Sequence, residues 1–143
     1  MNMKNLNPEM ILSASGWRKV FAVSGDETDS TSEIGKENTC ISILASLVFS
    51  DYIKKRTSKR NPAIAIGMDT RPTGPQIANS VIRTLLKEKA VVKYVGITAA
   101  PEIMAYAKLF DGFIYISASH NPVGHNGIKF GLNDGGVLDA KDN

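Results

Sequence analysis

An α/β domain of three layers, α/β/α, is predicted by the 143-residue sequence, with a mixed, mostly parallel sheet and an antiparallel edge hairpin. From Ile64 onward, short apolar runs alternate with longer amphipathic ones, the pattern of βαβ units feeding a parallel sheet. The longer runs place their apolar residues at helical spacing. Near the end of the sequence, Asn133-Asp134-Gly135-Gly136 follows a short apolar run and supplies the return of a hairpin.

Taken in order, residues 24–32 are rich in Gly, Asp, Ser and Thr and read as loop. Residues 37–55 carry Ile41, Leu44, Ala45, Val48 and Tyr52 at i, i+3, i+4, i+7 and i+11, widened by Ile43 and Leu47, which predicts a helix packed on a sheet. Ala63-Ile64-Ala65-Ile66-Gly67 reads as a strand, residues 69–75 as a turn, and Ile77, Val81, Ile82 and Leu85 as one face of the next helix. Val91-Val92-Lys93-Tyr94-Val95 is the following strand. Pro101 suits a first helical position, Ile103, Tyr106, Ala107 and Phe110 continue that helix, and Gly112 closes it. Phe113-Ile114-Tyr115-Ile116 reads as a buried strand, and Ile128-Lys129-Phe130 as one arm of the edge hairpin.

A chain of this length builds one core, so residues 1–143 are expected to form a single domain. The polar end, Asp139-Ala140-Lys141-Asp142-Asn143, resembles the start of a linker or a further segment. The net charge of +3 is spread thinly, and its one concentration, Lys54-Lys55-Arg56 with Lys59 and Arg60, has no interleaved aromatic residue, which argues for a solvated helix end and against a nucleic-acid partner. The single cysteine, Cys40, excludes an intrachain disulfide or a cysteine zinc cluster, and its place on the apolar side of the first helix predicts inert packing. No signal peptide or membrane span is legible, so a cytoplasmic protein with no membrane partner is expected.

The chemistry concentrates in Ser117-Ala118-Ser119-His120-Asn121-Pro122, followed by Asn126-Gly127-Ile128-Lys129. Ser119 would stand beyond the carboxyl end of a buried strand, where open α/β sheets bind their ligands. A serine hydroxyl needs help to react. His120 is adjacent, and Lys129 lies ten positions on, across a loop whose Gly124 and Gly127 would let the backbone return it toward Ser119. Lysine there could neutralise phosphate or, with its pKa lowered by burial, exchange a proton with a substrate hydroxyl. Each residue also has a plain structural role open to it: Ser119 as a helix cap or turn residue, Asn121-Pro122 as a turn, Lys129 as the protecting charge of an edge strand.

Together these residues resemble the active-site serine loop of the α-D-phosphohexomutases, the phosphoglucomutase and phosphomannomutase superfamily. Two further stretches agree in order. Ala14-Ser15-Gly16-Trp17-Arg18 resembles the family's amino-terminal Thr-Ser-Gly-x-Arg segment, and Gly67-Met68-Asp69-Thr70-Arg71-Pro72 its Gly-Arg-Asp-Thr-Arg-Pro turn, with Ala100-Pro101 matching a weaker threonine-proline step. The departures are Lys19, Met68, Ala99-Ala100 and Ser117, none of them at Ser119, His120, Lys129 or Arg18. On its own terms Arg18 could clamp an anion. Arg71 could do likewise, but a structural ion pair with Asp69 that pins the turn is the favoured reading.

The resemblance covers residues 14–138 and corresponds to the first of the family's four domains. It implies an isomerase of the phosphotransferase type that interconverts hexose 1-phosphate and hexose 6-phosphate through a phosphoserine and a bisphosphorylated sugar. Ser119, His120, Lys129 and Arg18 would be the catalytic group, with Ser15 and Asn121 contacting substrate. A magnesium ion would be held by the Ser119 phosphate together with aspartates of a second domain, and hexose 1,6-bisphosphate would act as activator. The implied partners are a phosphosugar and the remaining domains of a longer parent, without which the chain is expected to be inactive. A non-catalytic anion-binding or regulatory module on the same fold is the alternative; a serine hydrolase and a P-loop both lack their spacing.

Overall fold

The computed structural model describes residues 11–13 and 16–139. Its strands are β1 (Ile11–Ser13), β2 (Gly16–Val20), β3 (Ala63–Met68), β4 (Val91–Ile97), β5 (Gly112–Ile116) and β6 (His125–Leu132). Its helices are α1 (Gly35–Thr57), α2 (Gly74–Lys87) and α3 (Ala100–Tyr106), the last continued by a 3-10 turn over Ala107–Leu109. One sheet contains all six strands in the order β1-β2-β6-β5-β3-β4.

Alternation along the central strands sorts the core into two sides. Ile64, Ile66, Ile114, Ile116, Ile128 and Phe130 face α1 and α2, where Phe49, Ile53, Ile77, Val81 and Leu85 meet them. The opposite face is thinner: Ala65, Phe113 and Tyr115 pack against Ile103 and Ala107. Each fully buried Ile or Phe contributes roughly 1.5–3 kcal/mol of transfer free energy, so the isoleucine layer on the α1/α2 side holds the sheet to its helices. The three-layer α/β/α arrangement of a mixed sheet is the one the sequence predicts.

The sheet differs from expectation in its arms. Only β5-β3 and β3-β4 are parallel, while β1-β2, β2-β6 and β6-β5 are antiparallel, so the parallel pairings are the minority and not the bulk of the sheet. The strand containing Ile128-Lys129-Phe130 lies inside the sheet between β2 and β5; the antiparallel edge is the β1-β2 hairpin. The turn after it does exist, since Gly135 donates to the Leu132 carbonyl and Leu132 to that of Gly136, but it returns only to a single bridge, Gly131 with Val137. Ile128 and Phe130 are apolar because both neighbours must be covered, which a period-two pattern cannot distinguish from a half-covered edge.

Gly112 opens β5 instead of closing α3. A Cβ there would come within 2.9 Å of both the Gly131 carbonyl and Ile53 Cδ1, so close packing explains the glycine.

The first helix is rotated from its predicted face. Ser42, Ser46 and Ser50 are buried beside Ala45, Phe49 and Ile53, while Leu44, Val48 and Cys40 are exposed. The reading of Cys40 as core packing is therefore corrected. Two of these serines hide their own polarity: Ser42 Oγ donates to the Asn38 carbonyl at 2.8 Å and Ser46 Oγ to that of Ser42 at 2.7 Å. Small, internally bonded side chains can face a core that apolar counting assigns to larger ones.

Candidate active site

Strand β5 is buried along its length and delivers the chain to Ser117 and Ala118, also buried, and then to the exposed Ser119. Ser119 adopts a left-handed conformation with φ of 57°. For a residue with a Cβ this costs about 1–2 kcal/mol and persists only where the surroundings over-determine it. Here its N–H donates to Ser117 Oγ at 3.1 Å, and its carbonyl accepts from Arg71 Nη2 at 2.8 Å. Ser119 begins a turn and caps no helix, and its hydroxyl makes no hydrogen bond among the described residues.

The cations come from neighbouring strands. Arg18 of β2 is paired with Gly127 of β6, and Lys129 of β6 with Tyr115 of β5. Glycine is required opposite each side chain: a Cβ on Gly127 would lie 2.7 Å from Arg18 Cγ, and one on Gly16 would lie 2.8 Å from Lys129 Cγ. Gly127 thus makes room across the sheet instead of supplying a turn, and Gly124 fits beneath the backbone of Asp26 and Glu27. Because β6 is interior, Lys129 is no edge-protecting charge. Its ammonium stands 5.8 Å from the Tyr115 ring centroid, a cation–π contact. Burial pushes its pKa below the usual lysine value, the nearby Arg18 guanidinium pushes it further, and Asp69 opposes them. Desolvation raises the Tyr115 phenol, with Asp69 adding to it, so the hydroxyl stays protonated and donates to the Thr98 carbonyl at 2.9 Å.

Asn121 joins this group, its Oδ1 accepting from Arg18 Nη1 at 3.4 Å. His120 is exposed at the loop's tip and forms no hydrogen bond or ion pair among the described residues, so the structure does not bring its ring to Ser119. No Ser–His hydrogen bond of the kind a hydrolase needs occurs there. Ser15 lies outside the described residues.

Two contacts go beyond the sequence reading. Arg71 does pair with Asp69, Nε to Oδ2 at 3.4 Å, but its terminal nitrogens reach the serine loop, donating to the carbonyls of Ser119, Asn121, Pro122 and His125. Asn126, fully buried, donates from Nδ2 to Thr73 Oγ1 at 2.9 Å and accepts the Gly127 N–H at 2.8 Å, tying β6 to the start of α2. The only signal for either was its place in a quoted motif.

Magnesium requires several oxygen ligands. Among the described residues no three His, Cys, Asp or Glu side chains are grouped to hold a metal, Asp69 is engaged by Arg71, and Glu27 contacts His125. The described side chains do not fit a complete magnesium site. Among the described residues no helix is long and apolar enough to cross a membrane.

A three-layer α/β/α sheet carries a strained serine at a strand end and two cations on other strands of the same sheet, and its sequence matches a known family. The chain belongs to the phosphoglucomutase/phosphomannomutase family, as its alpha/beta/alpha domain I, with residues 14–143 matched. In particular, it is 39% identical over 90 residues to a phosphoglucosamine mutase of Exiguobacterium sibiricum, covering 62% of this chain and 20% of that protein. A phosphoglucosamine mutase of Bacillus cereus strain B4264 is 37% identical over 89 residues, covering 61% and 20%. The chain therefore spans about a fifth of the length of these relatives.

Its fold is similar to that of a phosphoglucomutase/phosphomannomutase family protein from Burkholderia thailandensis, with a TM-score of 0.67 at 19% identity over 92% of this chain and 28% of that one. A structure from Thermus thermophilus is similar with a TM-score of 0.72, also at 19% identity, over 94% of this chain and 28% of that chain.

Proposed function

We propose that this chain is the phosphoserine-bearing domain of a phosphohexomutase, which interconverts hexose 1-phosphate and hexose 6-phosphate. The observation that carries the reading is Ser119 itself: exposed, held in a left-handed conformation at the end of β5, with Arg18, Asn121 and Lys129 on the adjoining strands and loop. The phosphohexomutase relatives favour a glucosamine phosphate as the first sugar to test.

In the proposed cycle a sugar hydroxyl oxygen attacks the phosphorus on Ser119. The new P–O bond forms as the Ser119 Oγ–P bond breaks, the hydroxyl gives up its proton, and a proton returns to Oγ. The bisphosphorylated sugar then gives its other phosphoryl group back to Oγ by the reverse exchange. Such transfers depend on positioning and charge neutralisation, which Arg18 and Lys129 supply from this chain. Lys129 suits the proton exchange because burial and the Arg18 guanidinium both make its ammonium readier to give up a proton. Asn121 and Ser15 would orient the phosphosugar, and His120, exposed on the loop, would act only on a bound substrate.

A magnesium ion would add charge neutralisation at the phosphate. Its carboxylate ligands are assigned here to another domain of the parent, and no step is routed through it.

Incubation of the chain with glucose 1,6-bisphosphate and magnesium, followed by intact mass measurement, tests the reading. A gain of one phosphoryl group that Ser119→Ala abolishes is expected. A chain that stays unmodified through prolonged incubation would favour a non-catalytic anion-binding module.

A further inference from the structure

We infer that Arg71 is the positioning residue of the Ser119 loop, a role that rests on the phosphoserine reading for its catalytic meaning but not for its geometry. The guanidinium has five N–H donors in a rigid fork. Nε points to Asp69 Oδ2, Nη1 donates to the Pro122 and His125 carbonyls at 2.5 and 3.0 Å, and Nη2 to those of Ser119 and Asn121 at 2.8 and 2.6 Å. The four terminal N–H donors are committed to the loop, and Nε lies in an ion pair with Asp69. The guanidinium of Arg71 is therefore taken up in holding the loop to its anchor.

What the fork holds is equally specific. Its four carbonyls span Ser119 to His125, the segment that joins β5 to β6; Gly124 in its far half is tied to Phe21, Ala22 and Glu27, whereas the part nearer Ser119 has only the local bonds of Asn121 N–H to the Ala118 carbonyl and His125 N–H to that of Pro122. The Ser119 carbonyl leaves a left-handed residue, and Nη2 holds it in that direction. The anchor beneath Arg71 is rigid in turn, because Asp69 accepts the Arg71 N–H at 3.0 Å and donates its own N–H to the Ile116 carbonyl at 3.0 Å. Asp69 and Arg71 thus connect the end of β3 to the loop that leaves β5. Lysine keeps the charge but offers one nitrogen, which cannot reach four diverging carbonyls.

The test uses Arg71→Lys and Arg71→Gln in the full chain, with two readouts. Nuclear magnetic resonance of the unphosphorylated protein follows the HN–Hα coupling and the Cα and Cβ shifts that report the left-handed state of Ser119. Mass spectrometry follows the rate of phosphoryl loading from glucose 1,6-bisphosphate. Both variants are expected to lose the Ser119 signature while the signals of β3 and β5 stay in place, and to load more slowly by on the order of 100-fold, the cost of a misplaced reacting atom.

Native Ser119 signals with unchanged loading would overturn the assignment. So would unfolding of both variants throughout the sheet, since Arg71 would then hold the fold and not the loop. If the wild-type chain itself fails to load, the phosphoserine reading falls, and the resonance comparison still decides the clamp.

Discussion

Lys129 shows how the surroundings alter a residue's chemistry. Burial and Arg18 both disfavour its ammonium, so it is expected to titrate below the usual lysine value, and Arg18→Gln should move it back upward. Titration followed by side-chain nitrogen resonance checks the direction. The sign carries over to stability: between the depressed folded pKa and the unfolded one, the unfolded chain binds more protons, so stability rises with pH across that window. Lys129→Met should flatten the rise in urea unfolding curves taken at alkaline pH. Phosphorylation of Ser119 would oppose both effects by placing negative charge near the amine.

Among the elements, the cross-strand glycines and the buried carboxylate are the sensitive points. Gly127→Ala would set a Cβ 2.8 Å from the Trp17 carbonyl and 2.9 Å from that of Ser117, both backbone atoms that cannot swing aside. Overpacking of this kind costs about 1–3 kcal/mol, readable as a lower urea midpoint. Asp111 is buried, which pushes its pKa up, but the Lys59 ammonium at 2.7 Å and the Ala63 N–H at 2.8 Å bring it below the ordinary value. Its stabilising contribution is complete above the unfolded carboxylate pKa and is lost as pH falls through the depressed folded one. Asp111→Asn should cost about 1–3 kcal/mol at neutral pH and remove part of the acid-induced loss seen in the wild type.

Legibility followed the same physics. The strands at Ile64 and Phe113 were readable because a parallel core needs continuous apolar runs, and the exposed edge strand at Val91 was readable from its β-branched and aromatic residues. The face of α1 was not, since apolar residues surround the helix and serines that bond to their own backbone occupy the buried side. The serine loop was readable as a motif, whereas Arg71's fork was not, because its acceptors are backbone carbonyls that no side-chain pattern records.

At the scale of the whole molecule, the chain holds a serine loop and two cations but covers only about a fifth of its curated relatives. In the proposed cycle a single loading event needs one serine and one donor, while turnover needs a sugar held at both ends and is assigned a metal from the rest of the parent. We therefore expect no mutase turnover from the isolated chain with either glucose 1-phosphate or glucosamine 1-phosphate in a coupled assay. Steady product formation would refute the proposed division of labour between this chain and the rest of the parent. The most direct measurement is the location of the phosphoryl group after incubation with glucose 1,6-bisphosphate, by fragmentation of the peptide containing Ser117 and Ser119. Phosphate on Ser119 alone is the predicted result; phosphate on Ser117, or on neither serine, would contradict it.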